Sequence, residues 1–293
     1  MGRVGLWSTV TDAVPVPAAQ ELLAEVEQLG YGAYWFGEAY GREALTNAAA
    51  LLAGTSSIAV ATGIASIHGR DAVAARGAQR TLASLHPGRF VLGLGVSHRP
   101  LVERVRHGAY ERPLTQMRTY LDLMAEAPFL AADGDAATDT VLGALGPRMT
   151  ELARDRTDGA HPYKVTPEHT RWAAGVLGPE RHLAVEQAVV LTNDDELGRR
   201  RAAAHLELYS GLPNYRNAWG RLGFGEEHWV RGGSPELQEA LVTWGDEAVC
   251  ATAVRAHLDA GATHVCVQVL GDHPADVGAI TDGWRRLAPA LLA

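Results

Sequence analysis

Lysine is nearly absent from this 293-residue chain: Lys164 is the one lysine among 26 basic residues, and arginine supplies the rest. Cysteine is scarce too. Cys250 and Cys266 are the only two, and they form no Cys-x-x-Cys pair. That excludes a disulfide framework and fits reduced, buried thiols in a cytoplasmic protein. No apolar run approaches the ~18 residues of a membrane span. The opening Met1-Gly2-Arg3-Val4-Gly5-Leu6 has no signal-peptide hydrophobic region, and no Ser or Thr follows Gly2 where myristoylation needs it. Basic excess is missing: the formal net charge is -8 and the pI about 5.8, which argues against nucleic acid as a partner. Metal catalysis lacks a His-Glu-x-x-His, and the 12 histidines are scattered. Gly95-Val96-Ser97-His98-Arg99 lacks the last glycine of a serine-hydrolase elbow.

What is present centres on Ser57 to Ser97. Ile58 to Ile64 is a short apolar, β-branched run suited to a strand buried on both faces. Asp71 is placed to cap a helix with Ala75, Ala78, Leu82 and Leu85 on one face. Pro87-Gly88 ends that helix, and Arg89 to Gly95 reads as a second buried strand. This strand–helix–strand unit implies two parallel strands joined by a right-handed crossover. Both strands close on glycine, at Thr62-Gly63-Ile64-Ala65 and Gly93-Leu94-Gly95-Val96-Ser97. Glycines there either admit a flat ligand to bare backbone or relieve packing between strand and helix. A Rossmann site is excluded, because Gly93-x-Gly95 lacks the third glycine and the helix behind it.

The same alternation runs along the chain. Strands are expected at residues 3–8, 33–38, 140–145, 158–163, 182–192 and 263–270. Helices are expected before and after them, including 44–53, 111–126, 194–209 and 246–260, with Pro147 and Thr166-Pro167 at two helix starts. Residues 97–110 read as charged and irregular, and 131–139 as a polar connection. Residues 211–245, rich in glycine and proline, form an insertion with Tyr215, Trp219, Phe224 and Trp229, read either as an aromatic cover or as dimer contacts. About eight strands alternating with about eight helices predict a single-domain (β/α)8 TIM-type barrel with an insertion before the last strand–helix unit. An open doubly wound sheet is the alternative.

These strand ends together resemble the luciferase-like family of flavin- and deazaflavin-dependent oxidoreductases. The resemblance rests on Trp35-Phe36-Gly37-Glu38, on residues 61–65, and above all on Gly88 to Ser97. Gly143-Ala144-Leu145-Gly146-Pro147, Asp158-Gly159-Ala160 and residues 258–262 add to it. The nearest branch is the one using coenzyme F420, whose actinobacterial-type members share the Val96-Ser97-His98 ending. The resemblance implies a cofactor at the carboxyl mouth of the strands and a cis peptide between Gly63 and Ile64. It implies that Gly63, Ile64 and Ala65 lie under the ring, with Gly93, Gly95, Val96 and Ser97 along its edge or chain. It implies further that Gly146, at the start of the helix led by Pro147, offers backbone N–H groups to polar cofactor atoms. Thr166 either caps its helix or joins Lys164 at an anion site, and His161 either faces the cofactor or does not.

Relatives acting on alcohols or sugar phosphates carry a histidine just after the acidic end of the second strand. Here Ala39 and Tyr40 follow Glu38. Glu38 is then either the proton-transfer group or an acceptor for the ring or a local arginine, and His68 is the other catalytic candidate. The expected activity is hydride transfer between F420 and a small organic substrate, by a homodimer. A two-component FMN-dependent monooxygenase is the alternative, and a catalytically silent flavin- or deazaflavin-binding protein is a third reading of a different class.

Overall fold

The computed structural model describes residues 1–132, 136 and 138–292, so residues 133–135 and 137 of the polar connection lie outside the described residues. The elements are β1 (Val4–Trp7), α1 (Val16–Gln28), β2 (Ala33–Phe36), α2 (Ala44–Ala53), β3 (Ala59–Thr62), β4 (Ala65–Ser66), α3 (Ala72–Leu85), β5 (Phe90–Gly95), α4 (Pro113–Glu126), β6 (Asp139–Leu142) and α5 (Pro147–Arg156). There follow β7 (Gly159–Ala160), α6 (Pro167–Leu177), β8 (His182–Leu191), α7 (Asp195–Leu206), α8 (Pro213–Gly220), α9 (Pro235–Leu241), β9 (Val242–Gly245), α10 (Glu247–Asp259), β10 (His264–Val269) and α11 (Val277–Leu292).

Every strand pairing is parallel, and the sheet closes on itself. β1 pairs with both β2 and β10, and β10 pairs in turn with β8. The ring β1-β2-β3-β5-β6-β7-β8-β10 is the eight-stranded TIM barrel, which excludes the open sheet. Alternation along the strands sorts side chains into two layers. One set, Tyr34, Val60, Leu92, Leu142, Val185 and Val267, packs against the helices. The other, Trp7, Ala33, Trp35, Ala61, Val91, Val141, Ala184 and Cys266, fills the barrel interior. Small residues there leave room for Trp35, whose indole N–H donates to His264 Nε2 at 3.0 Å. His264 Nδ1 therefore carries the proton it gives to the Gly2 carbonyl at 2.6 Å.

Helix starts follow their caps. Asp71 accepts from Ala74 N–H at 2.8 Å, and Asp194, Ser234 and Asp246 act the same way at α7, α9 and α10. The differences from expectation sit in the loops. The expected strand at 158–163 pairs only over Gly159–Ala160, and Pro162 has no N–H to give a continuing ladder. Leu101–Val105 winds as a π-helix inside the segment expected to be irregular. The helix expected over 194–209 stops at Leu206 and gives way to a 3-10 turn at Tyr209–Gly211. The insertion is compact: Leu212, Tyr215, Trp219, Leu237, Leu241 and Val242 bury together with Val190 and Leu206. Its last part, β9, extends the sheet along Ala188–Leu191 of β8.

Candidate active site at the barrel mouth

The strand ends meet around Ile64. The Gly63–Ile64 peptide is cis. Thr62 Oγ1 accepts from Gly93 N–H at 2.9 Å and donates to Gly93 O at 2.8 Å, fastening the end of β3 to β5. A Cβ on Gly93 would lie 1.9 Å from the Thr62 carbonyl, and one on Gly95 would lie 2.4 Å from Ile64 Cδ1. Gly93 and Gly95 thus make room for this chain's own backbone and for Ile64, so their effect on the mouth passes through that side chain. Gly63 is hemmed in as well: its carbonyl accepts from Trp7 Nε1 at 3.0 Å. Ala65 is buried, whereas Gly63, Ile64, Val96, Ser97 and Gly143 are half-buried around the opening. Ser97 has φ 59°, and its carbonyl accepts from Tyr110 Oη at 3.3 Å.

Glu38 faces arginine. Its carboxylate forms ion pairs with Arg70, itself almost buried, and with Arg106 at 3.8 Å, and it accepts from Ser66 N–H at 2.8 Å. Arg70 also reaches Glu43 at 2.6 Å. His68 lies beside this cluster, with Tyr110 6.2 Å away between ring centres. Burial and the nearby Arg106 charge hold its pKa below the ordinary value. Its Nε2 is buried without a partner among the described residues. Sequence and structure together bring Glu38, Ser66 and His68 to one side of the mouth.

His161 stacks on Trp35 inside the barrel, with centroids 4.5 Å apart and planes 15° apart. Its Nδ1 donates to the Ala184 carbonyl at 2.9 Å, leaving Nε2 an acceptor beneath Gly63. Burial lowers its pKa to about 4, so the ring is neutral.

Lys164 turns the other way from the expected anion site. Thr166 caps α6, its Oγ1 accepting from His169 N–H at 3.3 Å. The Lys164 side chain instead enters a buried cluster, in contact with His205 Nε2 and over the rings of Tyr163 and Tyr209. Lys164 N–H donates to Glu186 Oε2 at 3.0 Å. Trp219 Nε1 donates to the Lys164 carbonyl at 3.0 Å, pinning the insertion to the barrel. Tyr163 carries the cluster to the rim: its ring is 5.1 Å from Trp7, and its hydroxyl donates to Gln268 Oε1 at 2.8 Å. His205, Glu186, Tyr163 and Tyr209 escaped the sequence reading because they are scattered over four elements. The lone lysine was the one available signal.

Gly146 caps α5 with no side-chain cap of its own, and Arg221 from the insertion donates to the adjacent Leu145 carbonyl. His98 was also missed as a candidate. It follows Ser97 at the rim, packs 5.9 Å from the Tyr215 ring and forms no side-chain hydrogen bond among the described residues. Burial holds it below the ordinary histidine pKa.

These residues fit a planar group with an anionic tail. There is no space for a side chain at Gly63 or Gly95, so main chain and one isoleucine face the opening, and bare helix amides sit beside a guanidinium at Gly146. Among the described residues, no cluster of His, Cys, Asp and Glu is placed to hold a metal, and no helix is long and apolar enough to cross a membrane. Over 195 residues the chain is 28% identical to a Mycobacterium tuberculosis protein that bears the name coenzyme F420-dependent oxidoreductase. The match covers 56% of this chain and 55% of that protein, about half its length. In fold it resembles an F420-dependent secondary alcohol dehydrogenase in complex with an F420-acetone adduct (TM-score 0.76, 15% identity, 99% of each chain). It also resembles the F420-dependent tetrahydromethanopterin reductase of Methanopyrus kandleri (0.74, 15%, 99% of this chain and 100% of that one). A third likeness is to the FMN-bound oxygenating constituent of 3,6-diketocamphane monooxygenase from Pseudomonas putida (0.70, 14%, 99% of each). The sequence profile of the luciferase-like monooxygenases matches residues 3–264, and the chain belongs to that family.

Proposed function

We propose that the protein is an oxidoreductase that moves hydride between coenzyme F420 and a small organic substrate at the barrel mouth. The observation that carries this reading is the Ile64 ridge, set over Gly95 and Gly143 at the carboxyl ends of β3, β5 and β6. Barrel enzymes place their chemistry at that face. When bound, the cofactor supplies a ring carbon that gives or takes hydride. Ile64, with Gly63, Val96 and Ser97, supports and orients the ring. Gly146 and Arg221 hold its anionic tail through the α5 amides and a guanidinium. His98, neutral near pH 7, holds or returns the proton of the substrate's reacting oxygen. Glu38 fixes Arg70 and Arg106, which braces the β2 and β4 ends instead of exchanging protons.

The similarity to the F420-named relative supports F420. The FMN-bound structural neighbour supports a second reading, an FMN-dependent monooxygenase. Titration of the protein with F420 and with FMN, followed by fluorescence, separates them. Tight binding of F420 over FMN is expected, and FMN binding without F420 binding overturns the first reading. Binding with no turnover of any alcohol, aldehyde or enone supports the catalytically silent alternative.

A further inference from the structure

The buried lysine cluster has no part in the proposed chemistry, yet it stands two rings, Tyr163 and Trp7, behind Gly63 at the mouth. Lys164 is 1% exposed. Its Nζ lies 4.3 Å from the Tyr163 ring centre and 4.2 Å from that of Tyr209, and it touches His205 Nε2. Tyr163 in turn meets Trp7, whose indole N–H holds the Gly63 carbonyl. We infer that Lys164, backed by His205 and caged by Tyr163 and Tyr209, is a buried proton acceptor that becomes charged when a cofactor with an anionic tail occupies the mouth. The inference rests on the proposed cofactor reading.

The titratable groups around Nζ come from five segments: Tyr163 on its own loop, Glu186 on β8, His205 on α7, Tyr209 on the 3-10 turn and Tyr215 on α8. Burial raises all three tyrosines, so they stay neutral. Burial and the lysine charge push His205 well below its ordinary value, so it accepts a hydrogen bond from the ammonium instead of competing for the proton. Burial raises Glu186, and its Oε1 has no partner among the described residues. Burial lowers Lys164 to about 7, and Glu186 opposes the shift. A cage of two aromatic faces, one imidazole acceptor and one carboxylate accepts a cation without solvent.

An anion at the mouth acts on Nζ through low-dielectric protein, with little screening. Between the free and bound midpoints up to one proton passes from solvent to the Nζ lone pair for each ring bound, and no other bond changes. Linkage makes the coupling reciprocal: affinity for the ring weakens as pH rises above the free-protein midpoint of Lys164.

The single lysine makes the test clean. Protein grown on lysine labelled with carbon-13 at Cε gives one lysine side-chain signal, and its shift is followed from pH 5.5 to 10.5. The titration is run on the free protein and on protein saturated with F420 or FMN. The expected midpoint is near 7 without ligand and higher by a unit or more with it, a tenfold or greater rise in proton affinity. A free midpoint near the ordinary lysine value of about 10.4 overturns the inference. So does an unmoved midpoint when fluorescence shows the ring bound, and that result leaves the cofactor reading standing. Failure of both cofactors to bind overturns the cofactor reading, and the coupling falls with it.

Discussion

Ile64 lies so close to Gly95 that a Cβ there would stand 2.4 Å from Ile64 Cδ1 and 2.6 Å from Cγ1. The two residues form one packing unit, and Gly95→Ala has nowhere to put its methyl group. The expected cost is about 1–3 kcal/mol of stability, with cofactor affinity falling at least tenfold as Ile64 is pushed into the mouth. Adding Ile64→Ala restores part of the stability, because the two sites are coupled. Urea unfolding of the single and double variants checks this. Strictly additive losses count against the packing unit.

Glu38→Gln removes the carboxylate shared by Arg70 and Arg106 and leaves Arg70 only the more exposed Glu43, at a site where the Glu38 and Arg70 side chains are 5% and 9% exposed. Removing one partner of such a buried pair costs about 3–5 kcal/mol. The expected result is a protein of lower urea midpoint whose residual pH–rate profile keeps its shape. Normal stability with a lost limb of the profile identifies Glu38 as the proton carrier instead.

Acid sensitivity follows from the buried histidines. Burial is the main cause that holds His161, His169, His257 and His264 near 4, against an ordinary 6.5. Between those values the unfolded chain binds protons that the folded chain refuses. Stability is therefore fully present above pH 6.5 and falls as pH drops toward 4. Each depressed histidine contributes up to ~3 kcal/mol, less where folding contacts relax. Urea midpoints measured from pH 7.5 to 4.5 are expected to fall steadily, and a flat profile contradicts the assignment.

His98→Ala is expected to lower kcat by about 10²–10⁴ with little change in KM, the range for losing a positioned proton carrier. Steady-state kinetics with F420 and a substrate alcohol measures it. Wild-type turnover in the variant removes His98 from the reaction.

The barrel was readable from strands poor in charge and from the stops between them, because burial on both faces writes itself into composition. Ser57 to Ser97 illustrates this: a capping aspartate, an apolar helix face and Pro87-Gly88 each left a local signal. β7 is shorter than the strand expected over Asp158 to Tyr163, a stretch of Asp-Gly-Ala-His-Pro-Tyr with no apolar alternation to fix its length and a proline that cannot donate to a ladder. The site was harder. Gly93 and Gly95 announced a crowded place, but nothing in the sequence says that Ile64 is what crowds it. Nor does spacing show that Lys164 turns from Thr166 toward His205, since that contact joins residues 41 apart through tertiary packing.

The most direct measurement of the central claim is a co-crystal structure with F420 or FMN. The ring is expected flat against Ile64, with its tail at Gly146 and Arg221 and one face open toward His98. A ring bound elsewhere on the barrel, or a mouth whose Ile64 ridge touches no part of it, contradicts the account.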